Sequence, residues 1–292
     1  MSAEPAPSRP RDLALRAGER RAYEEDGFFA RARAFGPAEV AALRAAAERA
    51  AARADAAAAA SAERYAVDGN AYVEAGGSTL QYEHAPGSTT LRVIEPFHPL
   101  DPVLDALLDD PRLVEPMRGL VGSERVSLWT DKLNLKRPRE GSRFRWHQDS
   151  PYWAHACRHV DRLPNAMLAL DDATEENGCF RVIRGSHRRG MLPGCEGEGA
   201  LGALFTNPRE FSLADAVPAV APAGSLVFFS PHTVHGSEPN RSDAPRRAFI
   251  ITYQPAGHPM FKLAGERECG ARSGPQRPAP SRAFAKASRS SS

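Results

Sequence analysis

The sequence predicts a mainly β protein with flanking helices, its strands antiparallel in a sandwich or barrel. From about residue 90 onward, short runs rich in β-branched and aromatic residues alternate with turn signals, as at 126–135, 166–170, 179–183, 225–229 and 248–253. No helical period separates these runs, which disfavours the crossover units of a parallel sheet. The 23 glycines and 25 prolines among 292 residues suit a fold rich in turns, and a 42% hydrophobic share excludes wholesale disorder.

Residues 1–18 read as an N-terminal tail and 266–292 as a flexible C-terminal tail, because neither carries enough large apolar side chains to offset its ordering entropy. One domain is expected between them, over 19–265. It opens with a short helix at 19–25, closed by Gly27. Pro37, directly after Gly36, then starts a second helix at the first-turn position that tolerates proline. Val40, Leu43 and Ala47 form one apolar stripe on that helix, as expected of a helix packed on one side of a core. Its alanine-rich run carries Arg44, Glu48, Arg49, Arg53 and Asp55, charges that a membrane span of about 20 apolar residues does not tolerate. Residues 176–187 read as scaffold, since Asn177-Gly178 makes a tight turn into a strand. The stretch 188–218, with many glycines and no clear period, reads as a long loop or partial lid.

The 38 Lys and Arg nearly balance 36 Asp and Glu, for a net charge of +2, which argues against nucleic acid or an acidic membrane as a partner recognised by bulk charge. Cys157, Cys179, Cys195 and Cys269 have no paired spacing and read as reduced thiols. Asn240-Arg241-Ser242 matches a glycosylation acceptor, yet no apolar stretch resembling a signal peptide accompanies it; a cytoplasmic location is expected.

Chemistry concentrates in Trp146-His147-Gln148-Asp149. In an extended strand, residues two apart share a face, so His147 and Asp149 can offer an imidazole nitrogen and a carboxylate oxygen to one ion. Such a pair needs a third ligand, and His235, just beyond the apolar run 225–229, is the candidate. Two histidines and one carboxylate leave three positions of an octahedral iron open, as oxygen chemistry requires. A closed zinc site more often uses thiolates, and no cysteine here has that spacing. Beyond the turn 238–245, an arginine heading the next strand can enter the same cavity and grip the distal carboxylate of a 2-oxo acid with its guanidinium fork. Arg246 and Arg247 both stand there. Adjacent strand residues face opposite sides, so only one can enter, and spacing alone does not choose.

Four ordered motifs extend this pattern: Tyr-Glu-Glu-Asp-Gly-Phe-Phe at 23–29, Trp-His-Gln-Asp at 146–149, Glu-Asn-Gly-Cys-Phe-Arg-Val-Ile-Arg-Gly-Ser-His at 176–187, and His-Gly-Ser-Glu-Pro-Asn-Arg-Ser at 235–242, followed by Arg246. On these the chain resembles the phytanoyl-CoA dioxygenase family of Fe(II)/2-oxoglutarate-dependent oxygenases, whose bacterial members include the ectoine hydroxylases. The resemblance implies a double-stranded β-helix (jelly-roll) core, Fe(II) on His147, Asp149 and His235, 2-oxoglutarate held by Arg246 with support from Ser237, Lys136 and Asn134, and O2 as oxidant. It implies hydroxylation of a small organic molecule with release of succinate and CO2. The carboxylate of Asp149 fills the place that halogenases leave open for chloride, which argues against halogenation. Trp153 resembles the substrate-side tryptophan of ectoine hydroxylases, and Gln148 is a second candidate substrate residue. The rival readings are a metal-dependent isomerase or hydrolase on a similar barrel and a non-catalytic metal-binding module.

Overall fold

The computed structural model describes residues 13–270. The first helix, α1 (Ala17–Asp26), ends at Gly27, whose left-handed φ of 87° closes it, and runs straight into strand β1 (Phe28–Arg31). Gly36 and Pro37 begin helix α2 (Pro37–Ala60), which buries Val40, Leu43, Ala47 and five further alanines along one side. Four strands follow: β2 (Arg64–Val67), β3 (Asn70–Ala75), β4 (Ser78–Tyr82) and β5 (Leu91–Glu95). Helices α3 (Pro102–Leu107) and α4 (Pro111–Val121) are each capped by an aspartate side chain, Asp101 and Asp110, ahead of a first-turn proline. The remaining elements are β6 (Val126–Lys136), β7 (Phe144–His147), α5 (Ser150–Trp153), β8 (Asn165–Ala169), β9 (Arg181–Ile183), β10 (Ala216–Pro218), β11 (Leu226–Phe229), β12 (His235–Ser237), β13 (Arg246–Pro255) and β14 (Glu268–Cys269).

These strands form two antiparallel sheets, the two layers of a jelly roll. The larger runs β1-β11-β8-β13-β6-β5-β4-β3-β2, with β14 added to β6, and the smaller runs β10-β9-β12-β7. Strand alternation divides the faces of the larger sheet. Leu133, Leu135, Phe249 and Ile251 join Leu80, Ile94 and the stripes of α2 and α4 in one apolar core, while Lys132, Asn134, Arg246 and Ile250 line a cavity on the other face. Fully burying each Leu, Ile or Phe of that core contributes about 1.5–3 kcal/mol, which holds the sheet and hence the cavity wall in register.

The tails differ from expectation at their inner edges. Arg31 donates to the carbonyls of Leu13 and Ala14, at 2.8 and 2.9 Å, tying 13–14 to the sheet edge. At the other end β14 pairs with Ser127 and Val126 and buries Cys269, so strand pairing continues past 265, where the domain was expected to end. Ladder hydrogen bonds supply there what apolar side chains do not. Residues 1–12 and 271–292 lie outside the described residues. None of the described helices is long and apolar enough to cross a membrane.

Candidate metal centre and its cavity

The end of β7 and the start of β12 meet in the smaller sheet, with His147 directly opposite His235. Their imidazole centroids lie 4.2 Å apart. Asp149 follows β7 by two residues, and the chain is fixed there because the amides of Asp149 and Ser150 both donate to the Pro231 carbonyl at 3.0 Å. One donor atom from each of His147, Asp149 and His235 lies within 4.8 Å of the others, and His235 Nε2 is 3.9 Å from Asp149 Oδ2. The outer nitrogens are already engaged: His147 Nδ1 lies 2.7 Å from the Arg145 carbonyl and His235 Nδ1 2.9 Å from that of Thr233. Both rings therefore turn Nε2 inward. Asn165 Nδ2 donates to Asp149 Oδ2 at 2.9 Å, and Thr252 Oγ1 in turn donates to Asn165 Oδ1 at 2.6 Å, fixing the carboxylate from behind. Burial, aided by His235, pushes His147 down to about 3, and burial also lowers His235. Neutral imidazoles with inward lone pairs beside an acid suit a divalent first-row metal.

The three residues open onto a cavity of about 630 Å³ between the sheets. At one end stands Arg246, only 3% exposed and paired in register with Lys136. Its Nε and Nη2 donate to the Gly178 carbonyl at 3.1 and 2.7 Å, and no carboxylate pairs with it among the described residues. Burial pushes this guanidinium down to about 10. Gly178 is required: its φ is +73°, and an added Cβ would lie 2.1 Å from the Glu238 carbonyl oxygen. Lys136, fully buried, donates to that same carbonyl. Burial first, then the charges of Arg246 and Arg92, push its ammonium down to about 6. Beside them the Ser237 hydroxyl and Asn134 Oδ1 are buried with no hydrogen-bond partner. A buried guanidinium without an acid, a lysine pushed toward its neutral form and two unsatisfied polar groups are costly in a bare wall, and their chemistry suits a small dicarboxylate.

Arg247 points the opposite way. Its side chain binds both oxygens of Asp171, at 2.9 and 2.7 Å, and Glu48 at 2.9 Å, on the helix side of the sheet. The choice that spacing left open is thus made by strand polarity.

Trp153 lines the cavity while packing edge-on against Trp129, at 6.4 Å between centroids. Gln148 does not reach the cavity, which corrects its assignment to the substrate side. Its amide nitrogen donates to the carbonyls of Gly190 and His232, and its oxygen accepts from the Leu192 amide at 2.7 Å. The alternation that turns His147 and Asp149 inward turns Gln148 outward. There it clamps the 188–218 segment, which is more ordered than a plain loop: it contains short 3₁₀ turns, buries Leu192 and Cys195, and ends in β10 paired with β9. Leu201, Leu204 and Phe205 from this segment wall the cavity. The opposite rim is formed by Tyr65 and Tyr72 on β2 and β3, which precede the β pattern that begins near residue 90. Its signal was there in Asp68-Gly69 and Gly76-Gly77, left-handed pairs that mark tight hairpins.

A jelly roll that sets two histidines and an aspartate beside a buried arginine defines a class of enzyme, the dioxygenases that use iron, 2-oxoglutarate and O2. The ectoine dioxygenase of Bordetella bronchiseptica is 30% identical over 263 residues, covering 82% of this chain and 75% of that protein. The L-proline trans-4-hydroxylase of Streptomyces griseoviridis is 30% identical over 184 residues, 57% of this chain and 68% of that one. Among solved structures, EctD from S. alaskensis with bound Fe superposes with a TM-score of 0.64 at 26% identity, over 89% of this chain and 82% of its own. Residues 23–248 match the family described as Phytanoyl-CoA dioxygenase (PhyH), and the chain belongs to that family.

Proposed function

We propose that His147, Asp149 and His235 hold Fe(II), that Arg246, Ser237, Asn134 and Lys136 hold 2-oxoglutarate, and that the rest of the cavity receives a small polar metabolite for hydroxylation. Iron with 2-oxoglutarate and O2 supplies the oxidising power to insert an oxygen atom into a C–H bond, with succinate and CO2 as co-products. The chain's own contribution is placement. Asn165 and the two backbone carbonyls orient the ligands, Arg246 fixes the far carboxylate of the co-substrate, and the aromatic walls of Trp153, Tyr152, Phe180 and Phe205 keep water away. The single observation that carries this reading is the buried, acid-free guanidinium of Arg246 in the same cavity as the triad. A metal-dependent isomerase or hydrolase on this barrel would leave that charge without a ligand. The names of the relatives, which include ectoine, proline and 2-aminoethylphosphonate oxygenases, support a small-molecule substrate. Four cysteines without disulfides support a reducing compartment, the cytoplasm.

The test is anaerobic titration of the protein with Fe(II) and 2-oxoglutarate. A weak visible charge-transfer band should develop, and admitting O2 with a metabolite library should release succinate above background. No band and no succinate would overturn the reading.

A further inference from the structure

Among the charged side chains that line the cavity, Lys132 and Glu95 stand on neighbouring strands of the larger sheet and are used by neither the metal nor the co-substrate. Lys132 lies on the cavity face of β6, half-buried, and makes neither a hydrogen bond nor an ion pair within 4.0 Å among the described residues. Its ammonium stands over the rings of Tyr152 and Trp153, at 5.9 and 5.7 Å from their centroids. Glu95 ends β5. Ile94 pairs with Leu133 and Val93 with Asn134, so the same antiparallel register carried one residue on brings Glu95 alongside Lys132. One Glu95 oxygen accepts from the Thr130 hydroxyl at 2.7 Å, and the other takes no hydrogen bond among the described residues.

A lone ammonium and a half-satisfied carboxylate on neighbouring strands would ordinarily close on each other, since either charge left alone in a partly dry wall is costly. Here they stay apart and both face the cavity. Burial works against the charge of Lys132, but Glu95 and Asp149 outweigh it and keep the ammonium protonated. Lys132 and Glu95 line the same cavity as His147, Asp149 and His235. The opposite signs, side by side and each with open valence, match a ligand that carries an acid and an amine a few bonds apart.

Resting on the oxygenase reading above, we infer that Lys132 and Glu95 together select a zwitterionic substrate, Lys132 receiving its carboxylate or phosphonate and Glu95 its ammonium group. A neutral or singly charged molecule of the same shape leaves one wall charge unmatched. Discrimination then arises from the wall's own unpaired group as much as from attraction.

The probes are the common L-amino acids and short aminoalkylphosphonates, each set beside a charge-blocked partner: the carboxamide or N-acetyl form for the amino acids, the phosphonate diester or N-acetyl form for the phosphonates. Binding is read anaerobically, as perturbation of the band formed by iron-loaded protein with 2-oxoglutarate, and turnover as substrate-stimulated succinate release. Zwitterionic members should bind and stimulate, and blocked members should be weaker by about 10- to 100-fold. Lys132→Met should erase the preference for the free acid over its blocked form, and Lys132→Arg should restore it. Glu95→Gln should erase the preference for the free amine over its N-acetyl form while keeping that for the acid. Failure of the wild-type band to form would overturn the oxygenase reading. A band that forms but responds equally to blocked and free members, or to none of the panel, or whose selectivity survives Lys132→Met and Glu95→Gln, would overturn this inference alone.

Discussion

The two ends of the cavity are built by different means. At the inner end, Arg246, Lys136, Asn134 and Ser237 stand on β13, β6 and β12, and ladder pairs such as Arg246 with Lys136 and Ala248 with Asn134 fix their relative positions. At the mouth, the hairpin of β2 and β3 meets the 188–218 segment through one carboxylate: Asp68 accepts from the amides of Ala200 and Leu201 at 2.9 and 2.7 Å. Groups that must be placed to a fraction of an ångström sit on strands packed against an apolar core. The mouth is built from a short hairpin and from turns, where a change leaves the inner ladders untouched.

The largest effect expected of this division belongs to the inner end. His147→Ala or Asp149→Ala should remove detectable iron-dependent succinate release while leaving the far-ultraviolet circular dichroism of a folded β protein, because each deletes a ligand from an intact sheet. Activity retained in either variant would detach the triad from the reaction.

A smaller effect follows from Lys136. Its ammonium, buried beside Arg246 and bonded to the Glu238 carbonyl, is pushed down to about 6, so above that pH it is largely neutral until a dianion arrives. Binding of 2-oxoglutarate then takes up a proton, and affinity should weaken as pH rises, by up to about 50-fold from pH 6 to 8. Lys136→Met should bind more weakly at pH 6 and show a flatter profile. An affinity that strengthens over this range in the wild-type protein would contradict the placement of Lys136 at the co-substrate.

The mouth should give the smallest response. Asp68→Ala removes the acceptor shared by Ala200 and Leu201, so amide exchange at those two positions should quicken by about tenfold. The apparent affinity for 2-oxoglutarate should change by less than about twofold, since no ladder at the inner end is touched. Unchanged exchange would show that the segment is held by its own turns, and a large loss of co-substrate affinity would erase the distinction between the two ends.

The same division governs what could be read in advance. His147 and Asp149 are legible because strand alternation alone puts them on one face, and that alternation already turned Gln148 away from the cavity. Helix α2 announces itself through Pro37 and its apolar stripe. Strands β2 to β5 are harder: β2 is mostly exposed and carries no alternating signal, so only the glycine pairs of its neighbouring turns betray the hairpins. Lys132 and Glu95 are opaque for another reason. A charged residue facing an internal cavity has the same one-dimensional pattern as one facing solvent, and only the closure of the second sheet tells them apart.

The central claim is that Arg246, and not its neighbour, secures the co-substrate. It is tested most directly by the apparent affinity for 2-oxoglutarate in Arg246→Ala, Arg246→Lys and Arg247→Ala. Loss of the buried fork should cost on the order of 2–5 kcal/mol, roughly 30- to several-thousandfold in affinity. Lysine should recover only part of this, since an ammonium keeps the charge without the planar two-point grip. Arg247→Ala, which breaks contacts to Asp171 and Glu48 on the helix side, should leave the affinity within about twofold of the parent. An unchanged affinity in Arg246→Ala, or a larger defect in Arg247→Ala, would contradict the account.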